Sequence, residues 1–248
     1  TINKLDLTRI NANPAIKRAR EFFIHGKNVQ ANREWSSATR NFDRSEWLAV
    51  GLLSSDWGWH SRAIMAMAQA KYWDDLNIRF PVAYQDEIEN AAEKSDSESH
   101  TLLAIARQES AFDRQAISQA GAIGLMQIMP ATARATARLH KIPYKNRRQL
   151  QSIEINSTIG AKYYADLMKR FKGNRILAMA AYNAGPERVA KWLTQSSGKQ
   201  PFDVWIETIP FKETRRYVMN VLTYSAIYSH LLADKESLLT EHERDYLF

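Results

Sequence analysis

The 248-residue chain has no cysteine. That excludes disulfides, thiolate metal ligands and a cysteine nucleophile, but leaves the compartment open, because exported proteins also fold without disulfides. No run reaches the roughly 18 apolar residues that a membrane-spanning helix needs, and no signal peptide is visible. The chain starts at Thr1 rather than at Met, so the expectation is that an upstream segment has been removed, with any secretion signal it held. Phosphate-binding glycine loops are missing: neither G-x-x-x-x-G-K-[ST] nor G-x-G-x-x-G occurs. A G-x-S-x-G nucleophile turn is missing too. The histidines (His25, His60, His100, His140, His230, His242) have no H-E-x-x-H or similar spacing. No metal and no cofactor are therefore expected.

What is present describes an ordinary folded protein. Hydrophobic residues make up 45% and charged residues 25%, a balance that supports a substantial core without staples. At about 100–200 residues per domain, the length allows one large domain or two modest ones. The net charge is +7, which suits an acidic partner such as a nucleic acid, an anionic membrane or a charged cell-wall polymer, or serves solubility alone. The basic residues read as scattered apart from pairs such as Arg147-Arg148 and Arg215-Arg216. With no reader motif beside them, they do not support nucleic-acid binding.

Helical spacing of apolar residues dominates and strand alternation is nearly absent, which predicts an all-α protein with at most a very small sheet. Residues 1–80 read as short helices in "PAIKRAREFFIHG", "SEWLAVGLLSSDWGW" and "HSRAIMAMAQAKYWDDL", broken near Gly26, at Asp56-Trp57-Gly58 and at Pro81. Such segments suggest antiparallel pairs of the α-solenoid kind, although no fixed-period repeat is visible. Trp35, Trp47, Trp57, Trp59 and Trp73 fall here, as sugar-stacking platforms or, more commonly, as packing between helices. From Pro81 onward the texture changes. Ser95-Asp96-Ser97-Glu98 fits a capping box for a helix through "HTLLAIARQESAF", and Pro130 fits the first position of the next helix.

One carboxylate stands out. Leu102, Ile105 and Ala106 precede Glu109 by seven, four and three residues, so all four share one helix face. A carboxyl on an apolar face is costly when charged, and burial raises its pKa. It is then either a structural glutamate with a partner or a general acid that stays protonated near neutral pH. Glycosidases usually pair two carboxylates. Asp113 reads as a cap or a solvent-facing residue, and no spacing selects Glu187 or Glu207. "GAIGLMQ" brings Gly121, Gly124 and Gln127 together, and "AAYNAGP" puts Tyr182 and Asn183 at a helix end stopped by Gly185-Pro186. A structural turn explains the first equally well, and a satisfied helix end is the default reading of the second.

Taken together, "AIARQESAFD", "SQAGAIGLMQIMPATA", "AAYNAGPERV" and the closing "ETIPFKETRRYVMNVLTY" resemble the signature blocks of the soluble lytic transglycosylases. They match in order and separation over residues 81–232, and more loosely over 1–80. The resemblance implies a lysozyme-like catalytic domain over residues 81–248, preceded over 1–80 by α-helical hairpins of a superhelical linker region. It implies Glu109 as the one catalytic residue. Ser118, Gly124, Gln127, Met129, Tyr163, Tyr182 and Asn183 are implied to line the groove, and Glu207 to contact peptidoglycan. The implied reaction is cleavage of the β-1,4 bond between N-acetylmuramic acid and N-acetylglucosamine in peptidoglycan glycan strands, with 1,6-anhydromuramoyl products and a periplasmic location. A goose-type-lysozyme-like hydrolase of the same bond and a non-catalytic peptidoglycan-binding protein are the alternatives.

Overall fold

The computed structural model describes residues 4–196, 200–234 and 237–248. Among the described residues the regular structure is helical. The β-type pairing consists of two single bridges, Ile117 with Ile123 and Ile123 with Ile128. The all-α expectation is met. The chain divides into two compact units, Thr1–Ala83 with Ala111–Gln115, and Tyr84–Ser110 with Ala116–Phe248.

The first unit holds α1 (Lys4–Ala12), α2 (Pro14–Ile24), α3 (Asn28–Ala38), α4 (Arg44–Asp56), α5 (His60–Gln69) and α6 (Leu76–Arg79). Local chemistry sets the starts. The Asn13 side chain accepts from Ala15 N at 2.9 Å ahead of Pro14 in the first helical position, where a missing N–H costs nothing. Asp43 and Glu46 close a reciprocal capping box on α4. Helices α2 and α3 pair, as do α4 and α5. Their seam answers the tryptophan question for most of these residues. Trp35 is fully buried and meets Trp59 edge-on at 5.3 Å, while Phe23 stacks on Trp59 at 4.5 Å. Trp47 and Trp57 pack against the same cluster, and Trp73 alone of the five is largely exposed.

The second unit holds α7 (Gln85–Ser95), α8 (Ser99–Ser110), α9 (Pro130–Leu139), α10 (Ile153–Arg170), α11 (Arg175–Ala184), α12 (Pro186–Gln195), α13 (Phe202–Thr208), α14 (Lys212–Leu231) and α15 (Glu241–Asp245). The capping box expected at Ser95 does not form. Ser95 ends α7 and its hydroxyl bonds back to the carbonyls of Ala91 and Ala92. The turn into α8 then passes through Asp96 in the left-handed region (φ 54°). The single apolar face expected on α8 is also too narrow a description. Every residue from His100 to Ala106 is buried, because α8 is a central helix packed along α14. Alanine-rich α11 is buried almost throughout, and its small side chains admit α10, α12 and α14 around it.

A buried ion pair ties the C-terminal segment to the start of α11. The Arg175 guanidinium donates from Nε and Nη2 to the two Glu243 carboxylate oxygens, each at 2.8 Å, and Arg175 N donates to Oε1 at 3.1 Å. The Thr240 backbone N–H donates to Oε2 at 2.9 Å. Both side chains are almost fully buried. Burial pushes the Glu243 carboxyl up, but the bonds and charge of Arg175 outweigh it and hold the group below its ordinary 4.5. Removing one partner strands a buried charge, so Glu243→Gln is expected to cost about 3–5 kcal/mol in urea unfolding at pH 7. The pair's contribution is complete above pH 4.5 and fades as pH falls below it. The gap between wild type and variant should therefore narrow in unfolding curves taken at progressively lower pH.

Candidate active site

Glu109 sits in the last turn of α8. The helix stops one residue later, where Ala111 and Phe112 take left-handed dihedrals (φ 50° and 66°). Asp113 caps locally by accepting from Gln115 N at 2.9 Å. The Ser110 hydroxyl donates to Leu125 O at 2.7 Å, which fixes the helix end against the loop of residues 116–129. That loop carries a small amount of ladder bonding: Ile123 and Ile128 exchange backbone bonds at 3.1 Å, and Ser118 N donates to Ala122 O at 2.9 Å.

Asn156 on α10, 1% exposed, staples the loop from below. Its Oδ1 accepts from Met126 N at 2.8 Å, and its Nδ2 donates to Ile123 O at 2.9 Å and to Leu150 O at 2.8 Å. Gly124 lies directly over this amide with φ +83°, and a Cβ there would collide with Leu150 O and the Asn156 side chain. Gly160 lets α10 approach the same loop, since a Cβ would press into Met126. The two glycines thus serve close approach of backbone to its support.

A cleft of about 550 Å³ opens above Glu109. Gln108, Glu109, Ser118, Gln127 and Asn183 line it together with Lys212, Glu213, Arg216 and Tyr217 from the first turns of α14. Glu109 is partly exposed to the cleft, while protein crowds its other sides. That burial pushes its carboxyl up to about 8. The Tyr217 hydroxyl pulls the value back down and the negative charge of Glu213 adds to the rise. Tyr217 OH is closed off from water and has no full hydrogen bond, so its contact with Glu109 is a loose one. Tyr182 also feels the Glu109 charge and stays a neutral phenol, held well above its ordinary value mainly by burial. Its hydroxyl donates to Met126 O at 2.9 Å, and Tyr163 packs on its ring at 5.3 Å. The Asn183 Oδ1 accepts from Thr214 Oγ1 at 2.7 Å, and Asn220 Nδ2 donates to Gln108 Oε1 at 3.0 Å. These bonds lock α8, α11 and α14 around the carboxyl. One protonated acid in a concave, polar-walled site is equipped to protonate a leaving oxygen.

With this geometry in hand, relatives can be compared. A family model described as Transglycosylase SLT domain matches residues 86–204. Two others, Soluble lytic murein transglycosylase L domain and Soluble lytic transglycosylase helical domain, match residues 9–76 and 208–236. The soluble lytic murein transglycosylase of Salmonella typhimurium is 38% identical over 97% of this chain. The structure of an inactive glutamate-to-glutamine mutant of lytic transglycosylase Slt from Pseudomonas aeruginosa superposes with a TM-score of 0.93, at 45% identity over 98% of this chain. That of the 70 kDa soluble lytic transglycosylase of Escherichia coli gives 0.91, at 36% identity over the whole chain. The chain belongs to the soluble lytic transglycosylase family. It spans 38% of the Salmonella protein's length and 40% of each of the two solved chains.

Of the residues that the family resemblance singled out, Ser118, Gln127 and Asn183 share the cleft with Glu109, while Tyr182 is near enough to feel the Glu109 charge and packs against Tyr163. Gly124 supports the loop rather than facing the cleft, and Met129 is an exposed residue (40%) at the start of α9. Glu207 does not join them. It lines a separate cavity of about 570 Å³ with Phe202, Val204 and Met219, and pairs with Arg215 at 3.3 Å. The acidic residue that α14 brings to the cleft is Glu213, and sequence reasoning missed it together with Tyr217. A signal existed for Tyr217. It falls on the buried stripe Thr214, Tyr217, Val221, Ser225, Tyr228, where a phenol needs a polar neighbour.

Asn156 makes three bonds from one buried amide, so Asn156→Ala leaves Leu150 O and Met126 N–H without that partner, while Ile123 O keeps its bond from Ile128 N. The expected cost is about 2–4 kcal/mol, read as a lowered urea midpoint. A larger relative loss is expected in any activity that depends on Gln127 and Ser118.

Proposed function

We propose that the chain is the catalytic part of a peptidoglycan lytic transglycosylase, cleaving the β-1,4 bond between N-acetylmuramic acid and N-acetylglucosamine in the periplasm. The observation that carries this reading is Glu109: one carboxyl, pushed up to about 8 by burial, at the floor of a polar cleft. The inactivity of the Pseudomonas glutamate-to-glutamine mutant agrees with an indispensable glutamate in that relative.

Protonated Glu109 gives its proton to the glycosidic oxygen as the C1–O bond breaks, and N-acetylglucosamine departs with a free hydroxyl. The acetamido group of the muramoyl unit stabilises the positive centre at C1. Glu109, now a carboxylate, takes the proton of the C6 hydroxyl as that oxygen bonds to C1. The 1,6-anhydro ring closes, Glu109 is protonated again and no water is consumed. An intramolecular nucleophile benefits from high effective molarity. Gln127, Ser118 and Asn183 supply polar walls for the sugar units, Tyr182 and Tyr163 fix the far side, and Met129 extends the groove along the edge of α9. Gly124 contributes through the loop that carries Gln127. The helical hairpins of residues 1–80 serve as the linker of a longer superhelical protein, with residues 81–248 as the catalytic domain.

The test is digestion of purified sacculi with mass analysis of the soluble fragments. Products one water lighter than hydrolysis would give are expected from wild type and none from Glu109→Gln. Hydrated fragments would establish a hydrolase instead, and binding without release a non-catalytic protein. The Gln variant should fold, and at pH 7 it should gain on the order of 2 kcal/mol, because the native state resists ionising a group that ionises freely when unfolded.

The pH dependence has a definite sign. Cleavage needs the protonated acid, so kcat/KM should hold below about pH 8 and fall as pH rises through it. Tyr217→Phe removes the group that lowers this pKa, so its alkaline limb should move up. Glu213→Gln removes a group that raises it, so its limb should move down.

A further inference from the structure

The five residues after Ser110, Ala111–Gln115, belong to the first compact unit, and the chain rejoins the second at Ala116. Phe112 is the one fully buried residue of the five, 2% exposed. Its ring meets the His60 imidazole edge-on, with centroids 6.2 Å apart and planes at 72°. His60 opens α5. Burial pushes its imidazole down from the ordinary 6.5, so it presents an uncharged ring to Phe112 at neutral pH. Next in sequence, Asp113 lies near Arg62. Burial lowers the Arg62 guanidinium, and the charge of Asp113 opposes that.

Arg62 is held firmly in its turn. Its Nε and Nη2 donate to Asn32 Oδ1 on α3, Nε at 3.1 Å. Its guanidinium lies over the Trp59 ring at 5.8 Å, the ring on which Phe23 and Trp35 pack. The seat of residues 111–115 is thus built on the tryptophan seam of the helical hairpins. The backbone in that seat is strained. Ala111 and Phe112 both take positive φ, 50° and 66°. Left-handed dihedrals are costly for residues with a Cβ, and they persist only where the surroundings impose them. Phe112 follows Glu109 by three residues, no more than about 11 Å of chain. A helix's last turn has carbonyls without intrahelical partners, and unrestrained ends fray.

We propose that Phe112 is a positioning residue for Glu109: seated in the first unit, it pins the last turn of α8 through the chain and keeps the carboxyl in its dry setting. The proposal rests on the reading of Glu109 as the acid and extends that site to a residue outside the cleft lining. The Ser110 hydroxyl holds the same turn from the loop side, at Leu125 O. Without Phe112 the turn frays and water reaches the carboxyl. Lost desolvation favours the ionised form. The titratable groups around Glu109 stay where they are: Tyr182 of α11, and Lys212, Glu213, Arg216 and Tyr217 of α14. The loop adds Ser118 and Gln127, which do not titrate. A downward shift at Glu109 therefore reports the loss of its dry setting.

The experiment compares wild type with Phe112→Ala, Phe112→Leu and His60→Ala. Ile78→Ala is the control, since Ile78 is buried with Ala63 and Met67 in a separate cluster of the first unit. Two quantities are read. One is the titration of Glu109, followed by NMR of carboxyl-labelled glutamate, which needs no substrate. The other is kcat and KM for glycan cleavage across pH. Phe112→Ala is expected to titrate below wild type, toward the ordinary 4.5. It should lose about 10- to 100-fold in kcat with KM little changed, and its alkaline limb should move down. His60→Ala should move both readouts the same way by less, and Phe112→Leu should regain most of both. Ile78→Ala should lower the urea midpoint and leave the titration in place. An unmoved titration in folded Phe112→Ala, or an equal shift in Ile78→Ala, overturns the proposal. If Phe112→Ala does not fold, an unmoved titration in His60→Ala overturns it instead. Wild type that cleaves no glycan, with the titration still falling in Phe112→Ala, overturns the transglycosylase reading and supports this one, so the two failures are distinguishable.

Discussion

A carboxyl that must stay protonated near neutral pH needs a place where ionising is costly, and the second unit is arranged around such a place. Glu109 is carried there by a helix buried on every side from His100 to Ala106. A surface helix with one apolar stripe would leave its last turn mobile and wet. A central helix delivers that turn to a fixed point between α11 and α14. The cross-links Asn183–Thr214 and Gln108–Asn220 hold this point from both sides. Burial then raises the pKa, and two neighbours on α14 trim it in opposite directions, Tyr217 downward and Glu213 upward. The value near 8 is thus a balance among groups fixed by one helix pair. Small shifts of α14 relative to α8 would move it.

The cleft's other wall is a loop with little regular structure of its own. Two single bridges would not hold residues 116–129 in water, since isolated β-type pairing is marginal. The loop borrows its order from α10 through the three bonds of Asn156, and from α8 through Ser110. Gly124 is required because the amide that staples the loop occupies the space of a side chain. Gln127 takes φ +47° and bonds back to Gly124 O at 2.9 Å, so the same staple sets its position at the cleft. Stability and site geometry here share the same atoms, and a substitution at Asn156 touches both.

Much of this was legible in the residues, for identifiable reasons. Helical periodicity is local, so the helices could be read directly. The family blocks are long, so Glu109, Gln127, Tyr182 and Asn183 could be named. Two kinds of information stayed hidden. One is burial all round: the stripe Leu102, Ile105, Ala106 looked like one apolar face, and only the packing of α14 reveals that Leu103 and Ala104 are equally enclosed. The other is convergence across long separations. Glu213 lies 104 positions after Glu109 and Asn156 lies 30 after Met126, and no spacing rule links either pair. Glu207, six residues before Glu213, shows how little separates a cleft residue from a neighbour on another cavity. α13 ends between them, and the change of helix sends the two carboxyls to different places.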